Sequence, residues 1–324
     1  ASFKRGSRRN NPNRNQFICS SHLSQIVKEI EQRITMHREK TINPDTNPNV
    51  WFFAERTLIY ALIAVFLFIT LSPLVWVLST SLKPNTEAIS FPPKIIPDEP
   101  TIDNYFFVLT DPTLARSMIN SFIVSIGSTA LSVAVSALGG YAFARYDFRG
   151  KNIIMSIILG LFMIPVVINI IPLYTMLANF GLLNSIFALM LTFQILIIPL
   201  NLLLMKNYFE TIPKELEEAA LIDGCSRLGV LRRVTIPLSM PGFAIATVLS
   251  FRFSWNEFIL PVVLANRSDS MVFQVALYQF ISLYRIDWGY LSAGITLSLI
   301  PVLVLMLTFQ KQMIKGLTLG AIRE

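Results

Sequence analysis

Glu218 and Asp223 are the residues of this 324-residue chain whose type and spacing are most suggestive, and the chemistry they suggest is recognition. They flank Ala219-Ala220 and lead into Gly224, inside a polar segment, 213–242, set between two long apolar stretches. The two alanines leave a shallow spot that another protein's surface can approach closely. The carboxylates put charged hydrogen-bond acceptors on its rim. An ordinary solvated hairpin is the other reading of the same residues. Bond-making chemistry has less to work with. The sequence holds no G-x-x-x-x-G-K-[ST] phosphate loop, no H-E-x-x-H and no G-x-S-x-G. Cys19 has only His22 close by and Cys225 has no histidine near it, too few ligands for a metal site. His22 and His37 read as surface residues. No residue is assigned as catalytic or as a metal ligand.

Local signals shape the segment around this cluster. Pro213 suits the start of a helix, where its missing N–H goes unused. Lys214 to Asp223 are good helix formers, and Gly224 is a natural stop. Ser226 can cap a second helix over 227–236, which Pro237 and Pro241 end. The product is a helix–turn–helix.

The elements that hold this hairpin are membrane spans. The chain is 53% hydrophobic and 15% charged, with a mean hydropathy of +0.56. Residues 57–82, 117–144, 153–205 and 288–310 contain no Asp, Glu, Lys or Arg. A helix needs about 20 apolar residues to cross the hydrocarbon. The run 153–205 is therefore two helices, divided by the turn signal Asn179-Phe180-Gly181-Leu182-Leu183-Asn184. A further run, 241–265, carries only Arg252 and Glu257. The fold class is all-α, a polytopic membrane protein with six transmembrane helices: 57–81, 119–144, 153–177, 184–205, 241–265 and 287–309. The domains read as an N-terminal extension, 1–56, a six-helix domain, 57–310, with the polar segment 206–240 inside it, and a tail, 311–324. In the extension, Leu23, Ile26, Val27, Ile30 and Ile34 recur at helical spacing, so 22–40 is an amphipathic helix. It either packs on the protein's own face or lies in the bilayer interface. No signal peptide is seen at the start.

Lys and Arg set the orientation. With the N-terminus inside, the inner segments hold 21 of them, and the outer loops hold five: Lys83, Lys94, Arg116, Arg267 and Arg285. Both termini and segment 206–240 are then cytoplasmic. Cys19 and Cys225 share that side, where a disulfide is not expected. The net charge of +7 reflects topology and anionic lipid. No basic cluster is interleaved with stacking aromatics, so nucleic acid is not a partner.

The 213–242 segment is similar to the EAA motif of permease subunits in binding-protein-dependent ABC importers. Glu218-Ala219-Ala220, Gly224 and Pro237 match, while Val234 and Ile236 replace the motif's Ile and Leu. The likeness extends to the sugar-importing branch and its maltose-type second permease. It rests there on Asn120-Ser121, on Tyr141-Ala142-Phe143-Ala144-Arg145 with Phe148 and Gly150, on Trp255-Asn256-Glu257-Phe258, and on the tail from Lys315 to Ala321. The likeness covers roughly 57–324. It implies a type I ABC importer permease in a bacterial inner membrane. Its partners would be a homologous second permease, two ATPase subunits and an extracytoplasmic solute-binding protein. It also implies that ATP and Mg sit on the ATPase subunits, with no cofactor here. Glu218, Ala219, Ala220, Asp223 and Gly224 would dock on an ATPase subunit and carry its closure into the spans. Pro165, Pro172, Pro199, Pro261 and Pro301 would allow kinks. A channel or facilitator without an ATPase would leave the motif unexplained; an importer of a non-sugar solute stays open.

The solute path is expected from the polar residues in the spans: Asn169, Gln194, Asn256 and Glu257, with Asn201 beside them. A charge at mid-membrane costs about 2.5–3.5 kcal/mol, so Glu257 must face protein or water. An inter-helix hydrogen bond or a pair with Arg252 is the expected structural outcome. The loop 82–118 is stiffened by Phe91-Pro92-Pro93, Pro97 and Pro100. In loop 266–286, the run Phe273 to Phe280 is too short to span and too apolar for solvent. Phe273, Tyr278 and Phe280 therefore read as a docking surface for the binding protein, or as packing against the partner permease. The orientation has a direct check. A membrane-impermeant thiol reagent should label Cys225 in inverted vesicles and not in intact cells; labelling in intact cells would overturn it.

Overall fold

The computed structural model describes residues 48–281 and 286–321, without the side chains of 48–52, 54, 55 and 315–321. The amphipathic helix expected over 22–40, with Cys19, His22 and His37, lies outside the described residues. The chain divides into two compact units, 1–72 and 73–324. Helix α1 (Pro48–Ser81) runs through the boundary, and its part Arg56–Ser81 is apolar enough to span a bilayer.

The second unit continues with α2 (Asn85–Ala88), α3 (Asp103–Thr110), α4 (Pro112–Arg145), α5 (Lys151–Phe162), α6 (Val166–Asn179) and α7 (Ile186–Thr211). Then come α8 (Lys214–Ile222), α9 (Arg227–Leu238), α10 (Met240–Asn256), α11 (Ile259–Leu264), α12 (Phe273–Tyr278) and α13 (Trp288–Ala321). Four helices, α1, α4, α7 and α13, are each long and apolar enough to cross a membrane. Two bent pairs, α5 with α6 at 95° and α9 with α10 at 80°, raise the number to six if each pair is one span.

Two expected spans differ in detail. The third, expected to run unbroken over 153–177, stops at Phe162 and restarts at Val166. Pro165 sits at the break with extended backbone, ψ 132°. Proline has no N–H to continue the ladder and pushes the residue before it away from helix. Pro172, Pro199 and Pro301 lie inside helices that continue past them. The fifth, expected over 241–265, ends at Asn256, and α11 follows as a separate helix. Glu257 is extended there, and its Oε1 accepts from Ile259 N at 3.1 Å and Leu260 N at 3.2 Å. The carboxylate thus meets the free N–H groups at the start of α11. Its partner is backbone, not the Arg252 side chain.

The main seam of the unit is α4 against α7. Hydrocarbon gives apolar side chains no reason to prefer a neighbouring helix over lipid, so spans associate through close packing and inter-helix hydrogen bonds. Ser125, Ser128, Ser132 and Ser136 are buried along one face of α4. At its end, a Cβ on Gly140 would lie 2.8 Å from Met205 Cβ and 2.9 Å from the backbone N of Lys206. Asn201 of α7 donates to Ser132 Oγ at 2.9 Å and to Ser250 Oγ at 2.6 Å, tying α4, α7 and α10 together. Trp255 of α10 donates to Ser298 O of α13 at 2.9 Å.

Helix ends follow local signals. Asp111 caps α4, accepting from Thr113 N at 3.0 Å and Leu114 N at 2.9 Å, with Pro112 at the first turn. Ser185 caps α7. The turn between α6 and α7 falls where the sequence signal put it, with Gly181 at φ +65° and Asn184 at φ +60°. Asn184 then accepts from Asn266 N and Arg267 N.

The loop before α12 is pinned to α4. Asn120 donates to Asp269 O and Met271 O, both at 3.0 Å, and Phe273 N donates to Ser121 Oγ at 2.7 Å. Phe273 is fully buried among Val124, Phe193, Leu260 and Ala276. It is therefore no part of a docking face: the apolar run finds this chain's own core. Phe280 is half-buried against Phe107 and Tyr290. Tyr278 stays 52% exposed.

Two stability predictions follow from this packing. Gly140→Ala should destabilise the purified chain by about 1–3 kcal/mol, because backbone stands in the way. Gly160→Ala, with open space around it, should be neutral or stabilise by about 1 kcal/mol. Equal thermal melting of the two variants would contradict the close approach. Phe273→Ala should cost about 3–5 kcal/mol, and Tyr278→Ala about 1 kcal/mol or less; equal losses would contradict the burial of Phe273.

Candidate functional site

The hairpin of α8 and α9 forms as its sequence directs. Pro213 precedes α8 with extended backbone, and Glu215 and Glu217 stand in the first turn, where the helix dipole favours negative charge. The helix closes in a Schellman arrangement. Cys225 N donates to Ala220 O and Gly224 N to Leu221 O, both at 3.0 Å. Gly224 takes φ +87°, the left-handed region that a side chain disfavours. Ser226 then caps α9, accepting from Gly229 N at 3.2 Å. Pro237 does not end α9. The helix widens into a π turn over Leu231–Thr235 and runs on to Leu238, breaking at Ser239. Pro237 has no N–H to offer the Arg233 carbonyl, so the regular ladder fails there in any case.

The hairpin has two faces. Glu218, Ala219, Asp223 and Gly224 are exposed, and Ala220 is half-exposed. Beside them Leu221, Ile222 and Leu228 stand in the open, Ile222 at 86% and Leu228 at 68%. The tip thus exposes aliphatic side chains beside two carboxylates.

The other face rests on a residue the sequence reading passed over. Glu217, next to the exposed Glu218, is 6% exposed. Its Oε1 accepts from Arg145 Nε at 3.0 Å and from Thr235 Oγ1 at 2.9 Å, and lies 2.9 Å from Arg145 Nη2. Its Oε2 accepts from Tyr141 OH at 3.1 Å. Arg145 Nη2 also donates to Ile212 O at 3.0 Å, at the end of α7. Signals for it existed. Neighbouring residues on a helix point about 100° apart, so a contact along one side can cover Glu217 and leave Glu218 in water. Arg145 is also the first charge after the uncharged run 117–144, one turn beyond Tyr141.

The expected path residues do not gather in one place. Asn169 is half-buried on α6. Gln194 is buried in the α4–α7 seam, donating to Met190 O at 2.6 Å and Ser128 O at 3.3 Å. Asn256 is exposed at the end of α10, and half-buried Glu257 starts the next helix. A cleft of about 750 Å³ opens between α4, α10 and α13, lined by Phe122, Ile126, Val133, Phe251 and Pro301 among others. None of the four path candidates lines it. Among the described residues no three His, Cys, Asp or Glu come together as metal ligands.

Comparison with known proteins identifies the family. Residues 136–318 match the family described as binding-protein-dependent transport system inner membrane component. The chain is 34% identical to the sulfoquinovosyl glycerol transport system permease protein of Agrobacterium fabrum, covering 84% of this chain and 95% of that one. It is 33% identical to the diacetylchitobiose uptake system permease protein of Streptomyces coelicolor, over 82% and 88% of the two chains. With the trehalose/maltose transport system permease protein of Thermococcus litoralis the identity is 32%, over 79% and 92%. The fold is similar to that of a bacterial ABC transporter involved in the import of the acidic polysaccharide alginate. There the TM-score is 0.71 at 24% identity, covering 83% of this chain and 99% of that one. The chain belongs to the binding-protein-dependent transport system inner membrane components.

Proposed function

We propose that this chain is one permease subunit of an ATP-driven ABC importer for a carbohydrate, and that its α8–α9 hairpin takes up the movement of an ATPase subunit. The observation that carries this reading is the exposed apex, Glu218 to Gly224 with Ile222 and Leu228, on a hairpin anchored from its opposite face. The carbohydrate rests on the relatives, whose names give sulfoquinovosyl glycerol, diacetylchitobiose and trehalose/maltose systems.

In this reading both chain ends and the hairpin face the cytoplasm. ATP and Mg bind the two ATPase subunits, not this chain. ATPase closure pushes α8, and the spans switch between inward and outward access. A second, homologous permease completes the path, to which this chain contributes Asn256 and Glu257 at the outer end of α10, with Asn169 of α6 less directly placed. Gln194 serves the α4–α7 seam. The solute-binding protein approaches the opposite face, where Tyr278 is exposed.

Gly224→Asp tests the docking role. Within this chain a new Cβ meets nothing within 4 Å, so the variant acts through the left-handed turn and through the partner surface. ATP-driven uptake by the assembled complex should fall about tenfold or more, with the ATPase subunits lost on co-purification. Gly224→Asn, which tolerates the left-handed turn better than most side chains, should lose less. Normal uptake by an inserted Gly224→Asp chain would reject the reading.

A further inference from the structure

Helix α8 is attached to the rest of the molecule in an unusual way. Of its nine residues the only buried one is Glu217. A surface helix ordinarily buries an apolar stripe; this one buries a carboxylate. The donors to that carboxylate come from two other elements. Arg145 and Tyr141 belong to the last turns of α4, and Thr235 to the π turn of α9. Through Arg145 the same cluster reaches the carbonyl of Ile212 at the end of α7. Four segments therefore meet at the Arg145–Glu217 pair. Arg145 and Glu217 are 7% and 8% exposed in their side chains, so water and salt screen them little.

We propose that Glu217 is the joint through which displacement of α8 is passed to α4. The proposal rests on the reading of the α8–α9 hairpin as the ATPase contact. Apolar surfaces slide over one another at small cost, because their attraction is not directional. Charge-assisted hydrogen bonds from a guanidinium fork fix both distance and angle. The apolar residues of α8 are only partly covered, Leu216 and Leu221 at 47% and 41% exposed, so a push on this helix finds little apolar contact to carry it. At Glu217 it meets a fixed link to a 34-residue helix whose seam with α7 and α10 runs the length of the unit. Glu217 is a positioning residue: it touches neither solute nor nucleotide.

The test uses the complete complex in proteoliposomes, with its binding protein and ATPase subunits. Glu217→Gln and Arg145→Gln should keep the ATPase subunits on co-purification and keep basal ATP hydrolysis. Uptake per ATP hydrolysed should fall about tenfold or more, since half of a buried pair is left unsatisfied. A second arm separates linkage from folding. In a chain carrying Cys19→Ser and Cys225→Ser, the double variant Arg145→Cys with Glu217→Cys should be uncoupled when reduced. A reversible bifunctional thiosulfonate that bridges the two positions should restore uptake, and reductant should abolish it again. Normal coupling in Glu217→Gln would overturn the proposal. So would a bridged double variant that stays uncoupled, or loss of the ATPase subunits in both single variants, which would make the pair a folding element. The docking reading fails in a different measurement, the co-purification of Gly224→Asp.

Discussion

A carboxylate taken out of water must find its charge and its hydrogen bonds in protein, and Glu217 finds them in three side chains from two helices. Much of the hairpin's geometry follows from that demand. Arg145 has to end α4 where its guanidinium reaches both Glu217 and the Ile212 carbonyl. Helix α8 has to start at once after α7, with no slack between Thr211 and Lys214. Thr235 has to turn toward α8, and it does so at the end of the π turn, two residues before Pro237. Once Glu217 is fixed, the helical step of about 100° carries Glu218 out into water, and the Schellman turn at Gly224 sets the tip. The buried glutamate and the exposed one are thus a single design, with one holding and the other presenting.

Above the hairpin a different constraint takes over. Spans in hydrocarbon gain little from apolar contact with each other, so small residues and polar side chains carry the association. The serines of α4 and Gly140 let α7 come close, and Asn201 closes a three-helix hydrogen-bond set. Asn120 and Ser121 do the same for the loop before α12. A motif residue that looks functional in sequence is in this case a fastener, and it explains why Phe273, at the start of α12, is buried while Tyr278 at its end stays exposed.

What could be read from the sequence was what is written locally. The uncharged runs mark spans because a charge in hydrocarbon is costly, and the Gly181 and Gly224 turns mark themselves because they need left-handed backbone. The hairpin was legible almost residue by residue, except that Pro237 is absorbed by the helix instead of ending it. What could not be read depends on contacts between distant segments. Pro165 and Pro172 look alike in sequence, yet one breaks a span and the other sits inside a helix. Phe273 reads as an exposed apolar residue until Ser121 and Val124 are brought to it. Glu217 and Glu218 are neighbours of identical type, and only the position of Arg145, some seventy positions earlier, tells them apart.

The solute path is the least legible part, for a physical reason that α10 makes plain. Along one face of this helix Ile245 and Leu249 are half-covered, and Arg252 and Asn256 are exposed. Spacings of four, three and four put these residues in one stripe. An arginine facing lipid would be expensive unless it reached the interface, and a stripe that ends in Arg252 and Asn256 suits water or another protein better. In the proposed two-permease assembly this face is half of a surface. Asn256, at the end of the stripe, is exposed, whereas Asn201 and Gln194, which serve the fold, donate across helix boundaries to Ser132, Ser250 and Ser128. A hydrogen bond to another span therefore marks a polar side chain as a fastener better than polarity alone, and it needs the packed structure to be seen.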